Sequence, residues 1–397
     1  MGVTTVHTSA ASSGGGRASA GSVPWYLAAV TFASTSVILG LLWDISWHRT
    51  IGRDAFLTPA HLAIYLGAVI AGFSCGAVAL KTTFAGSAEE RAISVSFWGF
   101  HAPLGAWVCV WGCFAMLTSA PFDNWWHNAY GLDVQILSPP HVVLGIGMIA
   151  IQTGAMLMVL AEQNRRSESG GLLRWMYVYT AGIALLMAAT MVWEYTGFPN
   201  QMRSTLFYKV AALALPFFII APARAARMRW PATAITLVYM GLTLFMAWLL
   251  PLFPATALLG PIYNPLTHMQ PPTFPLLLVV PALAIDLLLR RGSAQREWQL
   301  AIPIGVAFVV LLLLAQWPFS GFLISPAARN AVFVADRWEY STHLGPWQYE
   351  YWGLDRDAAD KWSAARFWSG IAFAAVLAMA SSWLGLVRGR WMKAVQR

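Results

Sequence analysis

Residues 25–43 read WYLAAVTFASTSVILGLLW, residues 44–57 DISWHRTIGRDAFL, and residues 58–80 TPAHLAIYLGAVIAGFSCGAVAL. Two apolar runs of membrane-spanning length flank a short polar turn. A helix crossing about 30 Å of hydrocarbon needs about 20 mostly apolar residues, so this stretch predicts a transmembrane helical hairpin. Its chemistry is concentrated at the turn.

Working outward, ten stretches satisfy the same length criterion, at about 25–43, 58–80, 93–119, 139–161, 173–193, 206–223, 231–250, 273–289, 299–324 and 367–387. The expected fold is an all-α polytopic membrane bundle of about ten transmembrane helices. The divisions are a Ser/Gly/Ala-rich tail at 1–22 that reads as disordered, a four-helix unit at 23–165, further helices at 166–324, a long outer loop at 325–366, and a last helix with a basic tail at 367–397. Of the 397 residues, 58% are hydrophobic and 11% charged. That charged share is less than half the roughly 25% of soluble domains, which argues against a cytoplasmic enzyme or a nucleic-acid binder. The 21 Trp and 12 Tyr suit two membrane interfaces.

The net charge of +8 is a topology signal. Lys81 and Arg91, Arg165, Arg166 and Arg174, Arg224, Arg227 and Arg229, Arg290, Arg291 and Arg296, and Arg388, Arg390 and Lys393 fall in alternate connecting segments, whereas 120–138 and 251–272 contain no Lys or Arg. The positive-inside rule then places both termini in the cytoplasm. The implied location is a bacterial inner membrane, with the polar turns toward the periplasmic face.

The polar turn occurs twice. DISWHRTIGRDAFLTPAH (44–61) is matched by DNWWHNAYGLDVQILSPPH (123–141). Asp44 aligns with Asp123, Trp47 with Trp126, His48 with His127, Gly52 with Gly131 and Asp54 with Asp133, each 79 residues apart, and His61 with His141 at 80. Each copy lies at the end of a hairpin, which reads as a duplicated two-helix unit. Asp-x3-His puts a carboxylate and an imidazole one helical turn apart on one face. The His after Pro opens the next helix. Asp44, His48 and His61, and likewise Asp123, His127 and His141, thus form two-imidazole, one-carboxylate sets with open positions, suited to copper, zinc or non-haem iron. The bland alternative for either copy is a helix-end hydrogen-bond pair. Asp54 and Asp133 are expected as outer acceptors for a ring N–H, or as partners of Arg49 and Arg53, with Trp47 and Trp126 beside the ligands.

Asp44, Trp47, His48, Arg53, Asp54, Thr58, Pro59 and His61 together resemble the copper-binding segment of the C subunit of the copper membrane monooxygenases, the family of particulate methane monooxygenase and ammonia monooxygenase. That resemblance implies one copper on Asp44, His48 and His61, whose Asp-x3-His-x12-His spacing is the family's. A neighbouring copper site of the family has Asn-x3-His-x13-His; Asp123, His127 and His141 have that spacing, with Asp in place of Asn. The likeness covers about residues 25–165, and six further helices make the chain larger than an ordinary C subunit. It implies oxidation of a small apolar substrate with O2, an external electron donor such as quinol, and other monooxygenase subunits or a homo-oligomer as partners. A non-catalytic copper-handling protein is the alternative; a transporter fits less well, because the polar groups cluster at one face and not at the midplane.

Other residues carry weaker signals. His268, beside Met269, and His343, in an aromatic loop rich in acidic residues, are possible additional ligands; the loop around His343 is either a lid over the site or an interfacial segment. Glu194 is expected to pair with Arg203 or approach the site, His101 to lie inside the third helix, and Asp286 to pair with Arg290. Cys75, Cys109 and Cys113 lie in apolar runs and form no disulfide framework; Cys109 and Cys113 share a helix face, where buried thiols usually only pack.

Overall fold

The computed structural model describes residues 22–131, 138–167, 170–292, 296–355 and 362–396. In chain order the elements are α1 (Trp25–Thr50), α2 (Pro59–Phe84), α3 (Ala88–Ala92), β1 (Val95–Phe97), β2 (Phe100–Ala102), α4 (Leu104–Tyr130), α5 (Pro139–Arg165), α6 (Gly171–Met191), α7 (Trp193–Thr196), α8 (Thr205–Ala225), α9 (Pro231–Leu249), α10 (Val279–Arg291), α11 (Glu297–Ile324) and α12 (Ala364–Lys393). Among the described residues, nine helices are long and apolar enough to cross a membrane: α1, α2, α4, α5, α6, α8, α9, α11 and α12. They bury one face in the bundle and turn the other outward, where Phe73, Phe114 and Leu314 are each 60% exposed or more. Such a surface belongs in a lipid bilayer, where an α-helix satisfies all its own backbone groups.

The eighth expected span is where the structure departs most. Only α10 forms there, 13 residues long, and residues 271–278 enter the bundle without helical structure. Pro271, Pro272 and Pro275 explain the delay, because each lacks an N–H and restricts the residue before it. Non-helical backbone at membrane depth must find partners within the protein. The Leu276 N–H donates to the Tyr239 hydroxyl at 3.0 Å and the Leu277 N–H to Gln316 Oε1 at 3.1 Å.

The third span also starts later than expected, at Leu104. Val95–Phe97 and Phe100–Ala102 pair as an antiparallel hairpin, Ser96 opposite His101, around a turn in which Trp98 and Gly99 both have positive φ. His101 therefore sits in a strand, where Nδ1 is 3.1 Å from Ser94 Oγ, and not inside the helix.

Close backbone contacts hold the α4–α5 and α1–α2 hairpins together. In α4–α5, a Cβ on Gly105 would fall 2.5 Å from the Gly154 carbonyl oxygen, and one on Gly112 would fall 2.8 Å from that of Gly147. Two facing glycine pairs let these backbones touch, the small-residue contact of membrane helices. In α1–α2, Gly67 meets the Ala33 carbonyl oxygen at 2.7 Å in the same sense.

Long connections dock on the back of the α1 terminus. Ser46 Oγ donates to the Gln270 carbonyl, the Gln270 N–H to Thr50 Oγ1, and the Tyr340 N–H to the Arg49 carbonyl. Arg49 is buried, donates to the carbonyls of Pro271 at 2.8 Å and Arg337 at 3.1 Å, and lies over the Trp193 ring. It is committed to the loops, so the expected pairing with Asp54 does not form. At the opposite end of the bundle Arg224 and Arg390 share Glu297, and Arg165 and Arg166 share Glu162. Asp286 accepts from the Ala232 and Thr233 N–H groups and the Thr233 hydroxyl. It caps α9 instead of pairing with Arg290, which lies over Trp230.

Candidate metal centre

Each hairpin presents its donors from equivalent positions. Asp44 and His48 lie in the last two turns of α1, and Asp123 and His127 near the end of α4. The second His follows a Thr58 or Ser138 N-cap and a Pro at N1, so His61 and His141 both occupy the third residue of their helix. Ser138 Oγ accepts from the His141 N–H. Gly52 and Gly131, the aligned glycines, both have positive φ, +80° and +91°, the conformation that lets a chain leave a helix sharply.

The side chains converge. Among the described residues, the His, Cys, Asp and Glu donors gather into two groups able to hold a metal ion, Asp44–His48–His61 and Asp123–His127–His141, with ligand atoms within 4.8 Å of one another in each. In the first, His61 Nε2 is 3.1 Å from Asp44 Oδ1 and His48 Nε2 is 3.9 Å from Asp44 Oδ2. In the second, His127 Nε2 is 3.3 Å from Asp123 Oδ2 and His141 Nε2 is 3.5 Å from Asp123 Oδ1. Asp44 Oδ1 and Asp123 Oδ1 are buried, yet neither accepts an aligned hydrogen bond.

That orphaned oxygen, the same atom in both copies, decides what the donor set fits. A buried carboxylate oxygen without a partner is costly. In each group the carboxylate oxygen and the imidazole nitrogens lie within 4.8 Å of one another, so a cation among them would satisfy that oxygen. His61 is set up for this: its Nδ1 lies 3.0 Å from the Ala55 carbonyl. A carbonyl only accepts, so Nδ1 carries a proton there and Nε2 is the ring nitrogen turned to Asp44, the usual outer-contact device for orienting a ligand histidine. The residues present therefore fit a metal.

Asp54 lies closer to the centre than an outer acceptor would: its Oδ2 is 3.5 Å from Nε2 of both His48 and His61. Asp133, its aligned partner, lies outside the described residues. Trp47 Nε1 donates to the Arg53 carbonyl at 3.0 Å and braces the turn, while the Arg53 side chain is exposed. Trp126 packs in an aromatic cluster with Phe122, Trp125 and Tyr130.

The remaining candidates stand apart. His268 is exposed, with Nδ1 2.9 Å from Thr267 Oγ1, and His343 stacks on Tyr263. Neither belongs to a converging group. Glu194 is exposed and offers its backbone carbonyl to Gln201, while Arg203 lies against Trp317 and Tyr351, so the expected Glu194–Arg203 pair is replaced by aromatic contacts. The long loops grip Ser46, Arg49 and Thr50. At about 100° per residue these lie on the far side of α1 from Asp44 and His48, so the loops buttress the ligand helix from behind.

Sequence reasoning missed Tyr65. It lies one turn below His61 on α2, its ring centroid 6.1 Å from that imidazole. The i,i+4 spacing from His61 was the available signal. Comparison with protein-family models, curated proteins and solved structures finds no match to this chain.

Proposed function

We propose that this chain is a membrane-embedded copper protein that oxidises a small apolar substrate with O2, alone or as a monooxygenase subunit. The observation that carries the reading is the twofold convergence of one carboxylate and two imidazoles around an unpartnered carboxylate oxygen. Asp44, His48 and His61 would hold one ion and Asp123, His127 and His141 a second, as two copies of one duplicated hairpin. Copper in such a set supplies one-electron redox chemistry with positions open to O2 and substrate; zinc and iron are the alternative occupants.

The rest falls to the protein. The helix-borne ligands are preorganised, the Ala55 carbonyl fixes the His61 tautomer, and Asp54 adds negative charge where the imidazoles meet. Tyr65 sets an aromatic ring beside His61. Apolar helix faces give a lipid-dissolved substrate a dry approach. Electrons come from an external donor such as quinol, and further monooxygenase subunits or a second copy of the chain are the partners this reading expects. The arginine-rich end faces the cytoplasm of a bacterial inner membrane and the metal end the periplasm, with both termini cytoplasmic; the broken eighth segment then counts as a crossing, its non-helical half inside the bundle.

Copper-loaded protein in lipid, given reductant and O2, should consume O2 in step with oxidation of a short hydrocarbon or ammonia, and His48→Ala/His127→Ala should not. Reversible copper exchange without turnover, with reductant and candidate partner subunits present, would instead favour a copper-handling protein. That second reading is favoured by the absence of a haem, flavin or iron–sulfur motif from the sequence.

A further inference from the structure

All three cysteines of this 397-residue chain are buried on α2 and α4 within the four-helix unit, away from the outer donors. Cys75 on α2 and Cys109 on α4 are fully buried, and Cys113, one turn from Cys109, is nearly so. The Cys75 thiol donates to the Met158 thioether on α5, Sγ to Sδ 3.6 Å, and the Cys109 thiol, 3.8 Å from the Ile151 carbonyl oxygen, neighbours that of Cys75. Glycines make room for the sulfurs: a Cβ on Gly154 would fall 2.6 Å from Cys109 Sγ. Three neighbouring helices thus each contribute one buried sulfur to this region.

Thiols in a small-residue interface often only fill space. Here the donors share one chemical class and nothing harder is mixed with them. Thiolate and thioether sulfur select soft monovalent ions. With metal–sulfur bonds of about 2.3 Å, two sulfurs in a trigonal site lie about 4 Å apart, so the Cys75–Met158 pair is a few tenths of an ångström from that spacing. The location is also informative. Cys75 follows His61 by fourteen residues on α2, and Cys109 precedes Asp123 by fourteen on α4. Each interval is about 21 Å along the helix and within about 40° of the same face. The sulfur cluster therefore underlies both outer groups on the helices that carry them.

We infer that Cys75, Cys109 and Met158 form a soft-metal site for Cu(I) or an ion like it, separate from the two outer Asp–His–His groups. Burial among apolar helices sets the charge: a monovalent ion displaces one thiol proton and leaves a neutral centre of one thiolate, one thiol and one thioether. One proton goes to solvent per ion bound, and no electron is transferred. The inference does not depend on what the outer groups bind.

The test uses the full chain, purified, kept reduced and titrated with Ag(I), a soft monovalent ion without accessible redox chemistry. Wild type should retain one tightly held Ag(I) through desalting, release one proton per ion, and protect Cys75 and Cys109 from alkylation. Cys75→Ser/Cys109→Ser should retain none. Met158→Leu, close in shape but without the sulfur, should bind about tenfold more weakly with unchanged thermal unfolding, and it decides the matter if the double variant does not fold. His48→Ala/His127→Ala should keep the ion. Retention by Cys75→Ser/Cys109→Ser, undiminished affinity in Met158→Leu, or loss only in the histidine variant would each overturn the assignment, the last by placing the ion at the outer groups.

Discussion

His61 Nε2 lies 3.1 Å from Asp44 Oδ1, and that oxygen is buried without an aligned hydrogen bond. Asp123 Oδ1 stands in the same relation to His141 at 3.5 Å. Proximity without alignment is what a ligand set would show, and it gives the carboxylates a testable role. Asp44→Asn and Asp123→Asn keep shape and hydrogen-bonding capacity but remove the anionic donor. Each should lower metal affinity at its own site by at least the 10- to 100-fold typical of outer-contact losses, measured by competition with a calibrated chelator. Equal affinity in wild type and variants would return both pairs to structural hydrogen bonding.

The Asp123–His127–His141 group depends on the close approach of α4 and α5. Gly112→Leu places a side chain where a Cβ alone would meet the Gly147 carbonyl at 2.8 Å, and overpacking of this kind typically costs about 1–3 kcal/mol. On a background lacking the Cys75 and Cys109 thiols, the expected outcome is metal content falling from two ions per chain to one, because Asp44, His48 and His61 belong to α1–α2. Loss of both ions with the fold intact would show that the two groups are not separately built.

Arg49 holds the loops to the ligand helix. Arg49→Met leaves the Pro271 and Arg337 carbonyls without their donor, and a hydrogen bond to a charged group contributes about 1.5–3 kcal/mol. Hydrogen exchange in residues 262–271 and 337–343 should quicken by about one to two orders of magnitude, while α5 and α8 stay protected. Unchanged protection in both segments would show that Arg49 does not anchor them.

How much of this was legible beforehand depends on the range of the forces involved. Local length and hydropathy located nine of the ten expected spans, because a membrane helix is satisfied within itself. The clustering of the Asp and His side chains was also readable, since Asp-x3-His and Thr/Ser-Pro-x-His are set by one helix turn and one helix start. The break at 271–278 carried a local signal in its three prolines, but its stabilising partners, Tyr239 and Gln316, are about 40 residues away. The strand at His101 replaced a helix through a two-residue turn at Trp98–Gly99 that apolar content disguised. The docking of Arg49 on carbonyls 222 and 288 residues distant left no local trace.

Asp355 gives the loop after α11 a pH dependence. The Thr205 hydroxyl, then Lys209 and Arg366, hold its carboxyl below the usual range. A depressed folded-state value contributes stability above the unfolded-state value of about 4, lost as pH falls through the folded-state value. The side chain is 43% exposed, so solvent screening keeps the effect small. Hydrogen-exchange protection at residues 351–355, corrected for intrinsic rates, should fall in wild type below about pH 4 and stay flat in Asp355→Asn. A flat wild-type profile would show that the carboxylate does not anchor the loop.

The most direct test of the central claim is the metal content of protein purified from copper-replete membranes without chelators, by mass spectrometry, on a background lacking the Cys75 and Cys109 thiols. Two copper ions per chain, one each in His48→Ala and His127→Ala and none in the double variant, is the predicted result. Wild-type ligands with no metal above background, or copper undiminished in the double variant, would contradict it.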